Sequence, residues 1–134
     1  LAEAANKMQF LRYVDISHNR VSDVSPLCSR ARHLLSLDVG WNSIAGELAR
    51  QVAPKQLPFL QWASFEHNKI TSIGPLELPT VATLNLSYNE ISSVTGFSTM
   101  PELDSLEVSF CCCCCCCFLQ FNWNRRSQFN RTTR

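Results

Sequence analysis

Hydrophobic residues recur along the chain in a frame of eleven positions. Apolar residues occupy the first, fourth, sixth and eleventh positions of the frame, and asparagine occupies the ninth; the first copy runs from Leu11 to Val21. Further copies begin at Leu34, Leu60, Val81 and Leu103, between 21 and 26 residues apart. A sequence period of this length predicts a stack of similar repeats, not a globule with one central core.

Each copy of the frame predicts a short strand followed by a helical turn. In the first copy Val14 and Ile16 alternate with Tyr13, Asp15 and Ser17, which is the period of a strand with one buried face. Beyond the asparagine, apolar residues recur every third position, which favours a short 3₁₀ or α turn. In the fourth copy these residues are Ile91, Val94, Phe97 and Met100.

These periods divide the chain into segments. Residues 1–10 have the spacing of the helical half of an earlier repeat, so we expect the chain to be a fragment of a longer repeat protein. The repeats span residues 11–33, 34–59, 60–80 and 81–102, with a partial copy at 103–110. A cysteine run occupies 111–117 and a basic tail 118–134.

The asparagine of the frame has a predicted structural role. The chain must turn away from the strand there, which leaves backbone N–H and C=O groups that a buried amide can satisfy. We therefore expect a ladder of stacked amides in adjacent repeats, formed by Asn19, Asn42, Asn68 and Asn89.

The second repeat is longer than the others. Leu48 and Val52 lie at helical spacing before Pro54 and Pro58, so the sequence predicts a longer helix within 46–59. Gly46, Gly74 and Gly96 fall in the turns after the strands, where glycine relieves backbone strain.

The repeated frame resembles the leucine-rich repeat family. It is most similar to the subfamily with repeats of about 22 residues, typified by the regulatory subunit of type-one protein phosphatase. The resemblance implies an α/β right-handed solenoid, with short parallel strands on a concave face and 3₁₀ or α turns on a convex face. It also implies an intracellular binding scaffold that holds its partner on the concave face.

Charge is distributed unevenly. The net charge is +1, but residues 1–110 hold three more acids than bases, and the tail holds four arginines and no acid. The repeats lack a basic face, so nucleic acid is not an expected partner. No signal peptide is evident, and we expect a cytoplasmic protein, with association with cilia or the nucleus as alternatives.

Seven consecutive cysteines, Cys111–Cys117, interrupt the fifth copy. Adjacent thiols are poorly placed to share a metal ion or to form disulfides. Palmitoylation beside the tail arginines would make the chain a membrane-associated scaffold, our alternative function. We favour a codon repeat, with a shifted reading frame or a sequence error, and expect residues 118–134 to be disordered or poorly packed.

The sequence offers little catalytic chemistry. His18 and His67 share a column with Trp41, Tyr88 and Phe110, which favours stacked rings over a metal site. The sequence carries no nucleotide-binding or zinc-protease motif, and we interpret Cys28 as an ordinary buried thiol. We therefore expect neither an enzyme nor a cofactor.

The outward strand positions are the predicted binding surface. They include no Lys or Arg, and their large aromatic residues are of the type that anchors interfaces. We expect a monomeric scaffold that binds a protein partner of unknown identity, with a basic segment in contact with Tyr13, Asp15, Asp38, Trp62, Glu66, Asn85 and Glu107. The alternative is that these polar residues are only the solvated side of a sheet.

Overall fold

The computed structural model describes residues 7–52, 56–92, 100–111, 118–124 and 130–133, with side chains described up to residue 108. The strands in chain order are β1 (Tyr13–Asp15), β2 (Ser36–Asp38), β3 (Ala45–Glu47), β4 (Trp62–Ser64), β5 (Lys69–Ser72), β6 (Thr83–Asn85), β7 (Ser105–Cys111), β8 (Phe118–Asn124) and β9 (Asn130–Thr133). Short helices lie at α1 (Ser25–Arg30) and α2 (Leu48–Gln51).

The main sheet takes one parallel strand from each repeat. Its order is β1-β2-β4-β6-β7-β8-β9, and strands β1 to β7 of this sheet pair in parallel. The fourth frame position lies in register from repeat to repeat, along the column Val14, Leu37, Ala63, Leu84 and Leu106. The predicted parallel strands are therefore confirmed, and their inward residues form a continuous apolar core.

The frame asparagines connect one repeat to the next. The Asn68 side-chain nitrogen donates to the carbonyls of Val39 (3.0 Å), Phe65 (3.1 Å) and Glu66 (3.1 Å), and its oxygen accepts from the Ile44 N–H (2.9 Å). Asn42 and Asn89 bond in the same pattern one repeat earlier and one repeat later. These amides hold the ends of the strands in place.

A second sheet replaces part of the helix predicted within 46–59. Strand β3 pairs in parallel with β5, and the register shifts at Gly46, whose φ is +79°. This pairing takes the chain out of helical geometry. The prediction of a longer helix is therefore wrong, because α2 is only one turn long. Gly74 also has a positive φ, of 70°, as expected for glycine in a turn, whereas Gly96 lies outside the described residues.

Within the tail, residues 118–124 and 130–133 form strands where the sequence predicted disorder. Strand β8 pairs antiparallel with β7, and β9 pairs antiparallel with β8. The pairing sets Trp123 opposite Leu106 and Phe121 opposite Val108, whereas Asn122 lies opposite Glu107. Apolar positions of β8 thus fall on the core side of the register, which is a physical reason for this segment to form a strand.

Several predicted features lie outside the described residues. They are the segment 1–6, the turn residues Val94 and Phe97, and Cys112–Cys117 with the palmitoylation hypothesis attached to them.

Candidate interaction face

The outward positions of the parallel strands form a surface that we call the open sheet face. Its residues are Tyr13, Asp15, Ser36, Asp38, Trp62, Ser64, Thr83, Asn85, Ser105 and Glu107. Strand register arranges them in two rows, one running from Tyr13 to Ser105 and one from Asp15 to Glu107. The fold thereby brings together the predicted partner-binding residues: six of them lie on these strands, and Glu66, just beyond the end of β4, is hydrogen-bonded to Asn85.

Two aromatic side chains stand out on the first row. Tyr13 is 73% exposed and Trp62 is 37% exposed, and Ser36 lies between them in the register. Strands in a sheet are about 4.8 Å apart, so these rings lie on strands about 10 Å apart with a small side chain in the gap. The register therefore places one small side chain between two exposed aromatic side chains.

Two carboxylates of the second row, Asp15 and Asp38, are held by local hydrogen bonds. One Asp15 oxygen accepts from the Ser17 hydroxyl (2.7 Å) and the Ser17 N–H (2.9 Å). These bonds lower the pKa of Asp15, the hydroxyl bond having the larger effect. One Asp38 oxygen accepts from the Gly40 N–H (2.9 Å) in the same i to i+2 pattern. These acids therefore close the turns after the strands and also carry charge on the face.

Asn85 and Glu66 form a linked pair. The Asn85 oxygen accepts from the Ser87 N–H (2.9 Å), and its nitrogen donates to a Glu66 carboxylate oxygen (3.0 Å). A Cβ placed on Gly40 would lie 3.0 Å from the Glu66 Cγ, so the Glu66 stem already fills the space beside Gly40. Gly40 therefore leaves little room for a partner chain on the side that Glu66 occupies.

A column of stacked rings borders the open sheet face. Ring centroids are 5.3 Å apart for His18 and Trp41, 3.6 Å for Trp41 and His67, and 4.1 Å for His67 and Tyr88. This confirms the stacked-ring interpretation for these four, whereas the side chain of Phe110 is outside the described part. Because Trp41 lies between the two histidines, they do not share a metal ion.

The ring column has an unusual backbone. His18, Trp41, His67 and Tyr88 all have φ between 49° and 56°, a left-handed conformation that costs a non-glycine residue about 1–2 kcal/mol. Three of their N–H groups donate to the next repeat at 2.9 Å: His18 to Gly40, Trp41 to Glu66 and His67 to Ser87. These bonds and the ring contacts offset the strain and fix the edge of the face.

Catalytic chemistry finds no support among the described residues. They contain no cluster of three or more His, Cys, Asp or Glu side chains able to hold a metal ion. Cys28 is fully buried, and desolvation raises the pKa of its thiol to about 12, which removes the thiolate needed for nucleophilic attack. Within the same described part of the chain, no helix has the length and apolarity to span a membrane.

Burial of Cys28 predicts resistance to alkylation. At neutral pH the native protein should label at Cys28 with iodoacetamide about a thousandfold more slowly than the unfolded protein, because burial removes both access and thiolate. Mass spectrometry of the peptide that contains Cys28 separates it from the other cysteines. Equal labelling rates in native and denaturing buffer would contradict the buried position.

Comparison with known proteins identifies the type of repeat. Residues 7–25 and 30–47 match the family model described as Leucine Rich repeat. The chain is similar to Leucine-rich repeat-containing protein 23 of Homo sapiens, with 44% identity over 86 residues, which are 64% of this chain and 23% of that protein. The protein of the same name from Mus musculus is 39% identical over 100 residues, 73% of this chain and 28% of that protein.

The chain therefore spans about a quarter of the length of the curated relatives it matches. No solved structure matches it significantly. The chain thus contains leucine-rich repeat sequence and is homologous to Leucine-rich repeat-containing protein 23 over 86 residues. Such repeats typically form non-enzymatic interaction modules with extended binding surfaces.

Proposed function

We propose that this chain is a protein–protein interaction scaffold, built as a leucine-rich repeat solenoid, that binds a basic segment of a partner protein on the open sheet face. The observation that carries the proposal is the pair of exposed rings, Tyr13 and Trp62, on the same face as two carboxylates held by local hydrogen bonds, with no cation among the outward strand positions. Spacings of 21 to 26 residues between copies favour the 22-residue subfamily. We propose a monomer in the cytoplasm.

The geometry suggests how a partner would be held. The two rings would enclose an aliphatic or aromatic side chain above Ser36, the register neighbour of both. Asp15 and Asp38, which are adjacent in the register, would attract Lys or Arg residues that follow that side chain. Because local hydrogen bonds already orient these carboxylates, little further ordering would be needed on binding.

A titration with a short peptide of alternating lysine and leucine tests the charge of the face. Asp38→Asn keeps an oxygen that can accept from the Gly40 N–H but removes the negative charge. We expect binding to weaken about five- to tenfold at low salt, with a smaller effect above 0.5 M salt because exposed charges are then screened. Isothermal titration calorimetry measures the dissociation constants.

Glu90→Gln is the matched control, because Glu90 is exposed, is not on the open sheet face, and loses the same charge. Trp62→Ala should weaken binding about tenfold or more at any salt concentration, as expected for an aromatic anchor. If Glu90→Gln weakens binding as much as Asp38→Asn, the peptide senses only net charge and the proposed site is wrong.

A further inference from the structure

A groove lies at the other end of the strands, where they begin. Arg12, His33, Leu35 and Phe59 line it, and its volume is about 260 Å³. Arg12 and Leu35 immediately precede β1 and β2, and Phe59 lies shortly before β4. The first two repeats therefore line this groove, which is separate from the carboxylates at the opposite ends of the strands.

The groove combines an aromatic wall with an apolar floor. The His33 ring is stacked on Phe59, with ring centroids 5.8 Å apart and planes 13° apart. Phe59 is half exposed, and Leu35 is partly buried. The carbonyl of Arg12 accepts from the N–H groups of Leu35 (2.8 Å) and Ser36 (3.0 Å), which fixes the Arg12 backbone at the mouth of the groove.

The Arg12 side chain is a cation without a partner in the described part of the chain. The ion pair found among the described residues joins Arg50 to Glu47, away from the groove, and no acid lines the groove itself. Asp15 is three residues further along the same strand, about 10 Å away at 3.3 Å per residue. A guanidinium beside an apolar surface favours a carboxylate ligand, since it can form two parallel hydrogen bonds to the two oxygens.

The size of the groove limits the ligand. Sites for drug-sized molecules and cofactors occupy about 300–1,000 Å³, so this groove suits one or two side chains. The N–H groups of Leu35 and Ser36 are already bonded within the sheet, so they do not form an anion-binding nest. A protein segment with an acid next to a ring fits this surface better than a nucleotide or a free phosphate.

We propose that this groove is a second binding site, which takes an acidic segment of a partner protein. A glutamate or aspartate of the segment pairs with Arg12, and a neighbouring aromatic or aliphatic side chain packs against Leu35 and Phe59. The site does not depend on the open sheet face. A partner that engaged both surfaces would be fixed in direction along the strands, because the two ends attract opposite charges.

Fluorescence anisotropy tests the groove with a labelled peptide in which two glutamates flank a phenylalanine. Arg12→Gln should weaken binding about tenfold, through loss of a charge-assisted pair, and Phe59→Ser should weaken it severalfold. Arg20→Gln is the matched control, because Arg20 is also exposed and lies outside the groove. A control peptide carries glutamines in place of the two glutamates. It should bind the unsubstituted protein no more tightly than the acidic peptide binds the Arg12→Gln variant.

Two results would overturn the proposal. One is an equal loss of affinity in Arg20→Gln and Arg12→Gln, which would make the attraction nonspecific. The other is complete displacement of the peptide by millimolar inorganic phosphate at constant ionic strength, which would make the ligand a small anion. Binding of this peptide should be unchanged in Asp38→Asn, so failure of the open sheet face and failure of the groove can be distinguished. Thermal unfolding followed by circular dichroism checks that each variant is folded.

Discussion

Replacing Asn68 by alanine lowers the free energy of unfolding by about 2–4 kcal/mol, because one buried N–H group is left without an acceptor and three carbonyls each lose a donor. The Ile44 N–H loses its acceptor, and the Val39 carbonyl in the preceding repeat loses one of two donors, keeping the Asn42 amide. Asn68 is only 7% exposed, so water cannot readily replace the amide. The variant should unfold at a lower urea concentration. If the transition remains two-state, the slope of unfolding free energy against urea concentration should be similar in both proteins.

Asn19→Ala is the control within the same column. Asn19 is exposed, and its nitrogen donates only to Ile16 and Ser17 of its own repeat. Its loss should lower the free energy of unfolding by about 1 kcal/mol or less, the usual range for a single hydrogen bond near solvent. Equal losses for the two variants would mean that the bonds between repeats contribute little to stability.

The strand of each repeat was predictable because its signal is a property of every copy. Val14, Leu37 and Leu84 recur at one frame position, and each lies at the centre of a three-residue strand. The asparagine role was predictable for a related reason. A side chain that both donates and accepts is required wherever the buried backbone leaves its ladder, and the requirement recurs in each repeat.

The second sheet was not predictable from periodicity. Strand β3 covers Ala45–Glu47, which contains a glycine and no β-branched residue, so its pairing with β5 comes from the neighbouring repeat and not from local preference. The apolar spacing of Leu48 and Val52 did predict helix α2, but not that the helix is only one turn long. Leu48 is buried on that helix, and the Gln51 side chain accepts from the Val24 N–H (2.9 Å) of the preceding repeat.

The candidate site illustrates a different limit of sequence interpretation. Asp15 and Asp38 were selected for their charge, but each also accepts from the N–H two residues ahead. The signal was present in the sequence, since Asp15, Asp38 and Asn85 each precede a Ser or Gly by two positions at the end of a strand, a pattern typical of such turns. The contact of Glu66 with Asn85 joins two repeats, and no local pattern encodes it.

These local bonds change how substitutions on the open sheet face should be designed. Asp38→Lys would remove a turn-closing acceptor as well as a charge, so reduced binding could reflect a distorted strand end. Asn at the same position keeps the acceptor and separates the two effects. Substitutions of Arg12 need no such precaution, because the nearby sheet hydrogen bonds use the Arg12 backbone and not its side chain.

Replacing Phe121 by serine should destabilise the C-terminal repeats by about 3 kcal/mol, because its register with β7 predicts an apolar contact there; large aromatic residues removed from cores cost about 3–5 kcal/mol. Phe121 pairs with Val108, which is fully buried. The alternate residues of β8, Leu119 and Trp123, are also apolar. Asn122→Ser is the matched control. Its position lies opposite Glu107 on the other face, so we expect a change within about 0.5 kcal/mol.

Amide hydrogen exchange of β6 and β7 measures this effect locally, because end repeats can open without the rest of the chain. Faster exchange of the Leu84 and Leu106 amides in Phe121→Ser, with no change in Asn122→Ser, is the expected result. Equal exchange in both variants would mean that β8 does not cover the core of the last repeat. The cysteine run would then mark the end of the ordered sheet, as the break of the frame at Cys111 first indicated.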